Sequence, residues 1–157
     1  MTRSTAAIVA ALVVVTAGVA GGIWLALRPD AKPVALTPAA YLARASEVCR
    51  AYADRLARIA PPASLTSFVE VETTVGKALP LFEEQAAAVR KVAAPPSLAR
   101  RVQKLLELVD RSNAFLRRAL SAARKHERRQ LGLAYGAWLV ASSDSHEAAS
   151  KLGIRCS

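Results

Sequence analysis

The hydrophobic positions of the chain form one unbroken apolar run followed by four periodic segments. The run is Ala6–Leu27, which contains 22 residues and no charged side chain. At about 1.5 Å per residue, a helix of this length measures about 33 Å, enough to cross the hydrocarbon core of a bilayer. We therefore expect a single transmembrane helix over residues 6–27, preceded by a short cytoplasmic N-terminus over residues 1–5.

The charges that flank this segment are nearly balanced, so the positive-inside rule does not decide its orientation. An apolar segment this near the start favours export, and a pair of well-separated cysteines suits an oxidising compartment. We expect a single-pass protein of the bacterial cell membrane, with the N-terminus inside and the domain outside. The alternative is a signal peptide cleaved after Ala20, because Gly18–Ala20 offers small residues before a cut. The domain would then be secreted, although apolar sequence that continues to Leu27 favours the anchor.

Two glycines of the apolar run lie four residues apart, at Gly18 and Gly22. This spacing places both on one face of a helix, where the missing side chains let two membrane helices approach closely. The spacing thus predicts a homodimer through the membrane helix, with the general abundance of small residues in such helices as the competing explanation.

After a proline-containing linker over residues 28–36, apolar residues recur at steps of three and four, the period of an amphipathic helix. Thr37 before Pro38 marks one helix start, and Ser67 with Glu70 forms a capping box at another. The predicted helices cover residues 38–60, 65–94, 97–127 and 130–152. Four such helices with short loops pack well as an up-down-up-down bundle. The predicted fold is all-α, with a transmembrane helix followed by an extracytoplasmic four-helix bundle over residues 37–157.

The chain has two cysteines, Cys49 and Cys156, and they do not form a CxxC motif. In the predicted bundle the fourth helix returns beside the first, so a tail that folds back after Leu152 brings the cysteines together. We expect a disulfide if the domain is exported, and two buried thiols if it is cytosolic. By the loop-entropy model this crosslink adds roughly 4–5 kcal/mol of stability.

Several of these features occur together in a known group of proteins. They are Cys49 in a first helix, the joints Pro61–Pro62 and Pro95–Pro96, a long arginine-rich third helix, and the terminal segment Leu152–Cys156. In these features, over residues 38–156, the chain resembles exported Ala/Arg-rich helical-bundle proteins of actinobacteria and their relatives. The resemblance implies an exported helical fold and no particular activity.

The formal net charge of the chain is +10, and its basic residues are concentrated on the predicted third helix. At 100° per residue, six of them lie within about 40° of one direction, opposite the apolar stripe. These six are Arg100, Lys104, Arg111, Arg118, Lys125 and Arg129. They predict binding to an anionic partner: a wall polymer, lipid headgroups or an acidic protein. The alternative is an ordinary solvated face on which Glu107 pairs with Arg111. Nucleic acid is the least favoured partner because no aromatic residues interleave the cations to stack bases.

Motifs for catalysis or for cofactor binding are missing from the sequence. There is no GxSxG, SxxK or glycine-rich phosphate loop, and no CxxCH for covalent haem. The histidines are His126, in a charged and solvated hinge, and His146, whose acidic neighbours Asp144 and Glu147 do not make a metal-binding pattern. We therefore expect a binding protein that is not an enzyme and has no cofactor and no metal.

A small-ligand or sensory module is the alternative function. Ser142 and Ser145 interrupt the apolar stripe of the fourth helix, and Pro80 lies inside the second. A proline inside a helix bends it and can open space between helices. These features predict a core pocket near Pro80 and Trp138, with Tyr52 also in its wall. Tight packing of the core is the competing interpretation.

Overall fold

The computed structural model describes residues 36–156, and this part of the chain forms four α-helices and no strand. The helices are α1 (Pro38–Leu56), α2 (Phe68–Arg90), α3 (Pro96–Arg124) and α4 (Arg128–Leu152). The prediction of an all-α domain with four helices is confirmed. None of the described helices is both long enough and apolar enough to span a membrane. The predicted membrane segment, with Gly18 and Gly22, lies outside the described residues.

The first two helices are capped by the residues that the sequence predicts. The Thr37 hydroxyl accepts a hydrogen bond from the backbone N–H of Ala40 at 3.2 Å, and Pro38 occupies the first turn of α1. The Ser67 hydroxyl accepts from the N–H of Glu70 at 3.3 Å. The predicted capping box is only half formed, because the Glu70 carboxylate accepts from the N–H of Ala63 at 2.8 Å and thereby fastens the α1–α2 loop.

The predicted bounds of all four helices need correction, and the fourth begins at Arg128 and not at residue 130. The first helix ends at residue 56 and not 60, because the next residues make tighter i→i+3 turns before Pro61. The second covers residues 68–90 and not 65–94, since the preceding segment forms a serine–threonine turn. The third ends at Arg124 and not at residue 127, where His126 adopts a left-handed conformation with φ of 57°. The N–H of Glu127 then bonds to the Ala122 carbonyl, which satisfies the helix end.

Two clusters of apolar side chains form the core. The first joins the start of α2 to the end of α3 and the start of α4, through residues such as Val71, Leu116 and Leu131. The second joins the starts of α1 and α3 to the end of α4, through Tyr41, Val102 and other side chains. These contacts show that successive helices run in opposite directions. Close backbone approach is concentrated between helices that are consecutive in the chain. α1 contacts α3 and α4 mainly through side chains of the second cluster.

A disulfide joins Cys49 of α1 to Cys156 of the C-terminal tail, across a sequence separation of 107. The tail turns back at Gly153, whose φ is 92°, and Ile154 is buried in the second core cluster. The N–H of Arg155 then donates to the Ser46 hydroxyl at 3.0 Å. The predicted fold-back of the tail is confirmed, and it brings the two sulfur atoms together.

Candidate binding sites of the helical domain

The six predicted cations, which we call the basic face, are all exposed but do not lie on one helix. Arg100, Lys104, Arg111 and Arg118 lie on the solvent side of α3, over about 27 Å of helix axis. Lys125 caps the C-terminus of α3. Arg129 is a correction to the prediction: because the helix ends at residue 124, this side chain belongs to the first turn of α4.

Arginines that flank the basic face form ion pairs with α2. Arg117 Nε lies 2.8 Å from Glu83 Oε1, and Arg124 Nε lies 3.2 Å from Glu72 Oε1. Asp110, an acidic residue near the middle of α3, pairs with an arginine of α2. None of the six cations of the basic face takes part in an ion pair within residues 36–156. The acidic groups of α2 therefore pair with the flanks of α3, and the basic face is left without an ion pair among the described residues.

The predicted pairing of Glu107 with Arg111 is absent from the described part of the chain. The Gln103 amide donates to the Glu107 carboxylate at 3.1 Å instead. The Arg118 guanidinium lies 5.5 Å from the centre of the Phe115 ring, a cation–π distance that leaves the charge open to solvent. Arg111 and Arg118 thus present their charges outward.

A cavity of about 250 Å³ lies among all four helices and the tail. Trp138 lines it, as predicted, and so do Ser142 and Ser145. Pro80 and Tyr52 do not contribute to its wall, so the predicted position of a pocket is corrected towards the end of the domain that carries the disulfide. The wall consists mostly of apolar groups such as Ala53, and the cystine forms part of it.

The polar groups of the cavity come mainly from α3 and α4. Asn113 and Ser112 line the cavity although they are only 4% and 6% exposed. On α4, the Ser145 hydroxyl donates to the Ser142 carbonyl at 2.8 Å. Asn113 and Ser112 were not predicted from the sequence, although their positions continue the three-and-four spacing of the α3 apolar stripe. A polar pair inside an apolar stripe was the signal that could have identified them.

The cavity opens to the surface where α1 faces α4. His146 lines it and is exposed, and Ala53 on the α1 side is half-buried. The wall residues include no Lys, Arg, Asp or Glu. His146 therefore places one polar group at the mouth, while the interior holds amide and hydroxyl groups and no permanent charge.

His126 is exposed, as the sequence predicts, and it also contacts an aromatic ring. Its ring stacks on Phe68 with centroids 5.0 Å apart, and the Arg128 guanidinium lies 5.2 Å from the same Phe68 ring. Within residues 36–156, His, Cys, Asp and Glu side chains form no group of three that could hold a metal ion.

Comparisons of the chain with known protein families, with curated proteins and with solved structures found no match. The chain's own residues are therefore the basis for assigning a function.

Proposed function

We propose that this chain is a membrane-anchored extracytoplasmic domain that binds a polyanion bearing phosphate groups through the basic face. The observation that carries the proposal is the selective pairing of charges around α3. Flanking arginines pair with carboxylates of α2, whereas the basic face has no ion pair within the described residues. A surface whose cations served only to hold helices together would have them paired to neighbouring helices.

The spacing of the cations suits an extended ligand with repeated charges. Lys104, Arg111 and Arg118 follow one another at about 10.5 Å along the helix axis. Positive charge of one sign over such a length attracts a polyanion and raises its association rate in a salt-dependent way. Anionic lipid headgroups and phosphate-containing wall polymers both present this chemistry in the compartment where we place the domain.

The basic face is also accompanied by exposed apolar surface. Phe115 and Leu133 lie with Arg118 around a shallow depression between α3 and α4, and Leu133 is 61% exposed. An apolar group beside a cation suits the boundary between lipid headgroups and acyl chains. This neighbourhood favours lipid as the source of phosphate, with a soluble polymer as the other arm of the test.

The test uses the full chain reconstituted in vesicles of neutral phosphatidylcholine. Two ligands are added separately: acceptor vesicles that contain phosphatidylglycerol, and a fluorescent teichoic-type polymer. The double variant Arg111→Glu with Arg118→Glu reverses two charges of the basic face. At about 1 kcal/mol per basic residue near an anionic surface, removing two attractions predicts a loss of about 30-fold or more in apparent affinity. Raising the salt concentration is expected to weaken binding of the unchanged chain.

The matched control is Arg50→Glu with Arg58→Glu, which makes the same change in net charge at two exposed positions away from α3. We expect this control to retain most of the binding. Equal losses in both variants would show that net charge alone attracts the ligand. Binding that neither variant weakens would refute a role for the basic face.

A further inference from the structure

The cavity among the four helices has the properties of a ligand site, and we infer that it binds a neutral amphiphile. This ligand would have about ten non-hydrogen atoms in all, with an apolar body and one uncharged head group that forms hydrogen bonds. The site is separate from the basic face and does not depend on it. Its size, its lack of charge and a buried amide carry the inference.

The volume sets the size of the ligand. An apolar cavity of about 150 Å³ is large enough to hold benzene, which has six non-hydrogen atoms. The cavity measures about 250 Å³, so the same ratio gives space for about ten such atoms. Ligand pockets in proteins are typically apolar with a few placed polar groups, and this wall has that composition.

The wall also sets the charge of the ligand. No Lys, Arg, Asp or Glu side chain lines the cavity. The wall residue that can take up a charge is His146, at the exposed mouth, so a carboxylate or an ammonium group in the interior would lose its hydration without gaining a partner of opposite charge there, which is strongly unfavourable. A hydroxyl, carbonyl or amide head group carries no such penalty.

Asn113 supplies the contact for the head group. Asn113 is 4% exposed, and its amide takes part in none of the side-chain hydrogen bonds within residues 36–156. Asn113 lines the cavity, and its amide, unlike the Tyr41 hydroxyl, is not sealed off without a partner, which fits an amide that faces the cavity space. A carboxamide both donates and accepts hydrogen bonds, and the Ser112 hydroxyl lies next to it in sequence. The Asn113 carboxamide can therefore hold one neutral head group.

Trp138 provides a direct reporter because it lines the cavity. The chain has two tryptophans, so Trp24→Phe leaves Trp138 as the single source of tryptophan fluorescence. The probe is 8-bromooctan-1-ol, which has ten non-hydrogen atoms and a bromine that quenches tryptophan on contact. The full chain is measured in a mild detergent. We expect quenching that saturates with probe concentration.

A cavity-filling variant separates binding in the cavity from partition of the probe into the micelle, which is the same for every variant. Ala53→Leu with Ser142→Leu adds bulk from two residues of the wall. Ala51→Leu with Ser143→Leu makes the same changes at exposed neighbours on the same helices. We expect the first variant to bind the probe at least ten-fold more weakly than the unchanged cavity does. The second variant should bind the probe with unchanged affinity. Quenching that fails to saturate, or that is equal in all three proteins, would overturn the inference.

Two further comparisons test the head group. Asn113→Leu is expected to lower the affinity for the bromo-alcohol about three- to ten-fold, which corresponds to the loss of one neutral hydrogen bond. The affinity for 1-bromooctane, which has no hydroxyl, should not change. Equal affinities of the variant and the unchanged chain for the alcohol would refute the role of Asn113. At pH 8 the anionic 8-bromooctanoate is expected to bind at least ten-fold more weakly than the alcohol, and equal binding would refute the neutral ligand class.

Discussion

Tyr41→Phe is expected to stabilise the domain, although it removes a polar group from a well-packed core. Tyr41 is 0% exposed, and its ring packs in the second core cluster. Its hydroxyl is a buried polar atom without a hydrogen-bond partner among the described residues. In the unfolded chain the same hydroxyl is hydrated. Folding therefore strips water from this group and gives nothing in return.

The size of the effect follows from that desolvation. Burying a hydroxyl without a hydrogen bond costs about 1–3 kcal/mol in protein substitution data. Phenylalanine keeps the ring contacts and leaves only a one-atom void, so we expect a gain of about 1–2 kcal/mol. For a domain of about 120 residues, this gain corresponds to a rise in melting temperature of about 4–8 °C.

The assay is thermal and chemical unfolding of the full chain, followed by circular dichroism in the same detergent for every variant. Tyr52→Phe is the matched control, because Tyr52 is only half-buried and its hydroxyl can stay hydrated. We expect the control to change the melting temperature by less than 2 °C, consistent with about 0.5 kcal/mol at a site of this kind. A destabilised Tyr41→Phe protein would contradict the argument, since it would mean that the hydroxyl has a partner in the folded chain.

The burial of Tyr41 also predicts that the free energy of unfolding depends on pH. Burial raises the pKa of Tyr41 above its ordinary value near 10, because the low-dielectric core disfavours the phenolate. The folded protein then holds the proton more tightly than the unfolded chain does. This contribution to stability is fully present below pH about 10 and is lost as the pH rises from there through the higher folded pKa. Tyr41→Phe should remove this component, so the stability advantage of the variant should grow above pH about 10.

Two other substitutions test how the C-terminal tail is held. Replacing Cys49 and Cys156 by alanine opens a loop with a sequence separation of 107, and the chain-entropy model gives a loss of about 5 kcal/mol. Guanidinium titration of oxidised, reduced and alanine-substituted protein measures this loss, and a change below about 1 kcal/mol would contradict it. Gly153→Ala should cost about 1–2 kcal/mol because the residue has φ of 92°, whereas added bulk meets only ordinary contact with Leu42 at 3.6 Å. Gly153→Asn should cost less in the same titration, and a neutral Gly153→Ala would show that the helix end rearranges.

Sequence alone predicted those parts of the fold that depend on local chemistry. Thr37 and Ser67 cap helices because their hydroxyls can reach the first free N–H groups, whatever the rest of the chain does. Gly153 ends α4 because glycine adopts the left-handed conformation without strain. The disulfide could be predicted because helices of alternating direction bring the end of α4 beside α1. This places the tail that carries Cys156 near Cys49.

The end of α3 depends on a contact that is distant in sequence, and the sequence did not reveal it. No glycine or proline occurs between residues 121 and 130, so local preferences give no reason to stop the helix there. The residue that adopts the left-handed conformation is His126, and its ring stacks on Phe68, at the start of α2. A single sequence does not show that these two rings meet. Because of this turn, Arg129 belongs to α4 and not to α3, and the part of the basic face that lies on α3 is shorter than predicted.

The cavity was predicted in outline and misplaced in detail for a related reason. Trp138 and the serines of α4 were identified because polar residues interrupt an apolar stripe, and the same rule applied to α3 would have found Asn113. Pro80 was misleading, because a proline disturbs its own helix but does not determine on which side space opens. In the structure α2 continues through Pro80, and this residue is exposed.

The disulfide and the cavity are energetically comparable, and this explains how so small a domain can keep an internal space. At about 24 cal/mol per Å³, a sealed cavity of about 250 Å³ would cost at most about 6 kcal/mol, and an open mouth lowers that figure. The crosslink contributes about 5 kcal/mol by the loop-entropy model. Cys49 and Cys156 both line the cavity, so the covalent bond holds α1 to the tail where close helix packing is missing. The crosslink can therefore offset most of the cost of this unfilled space.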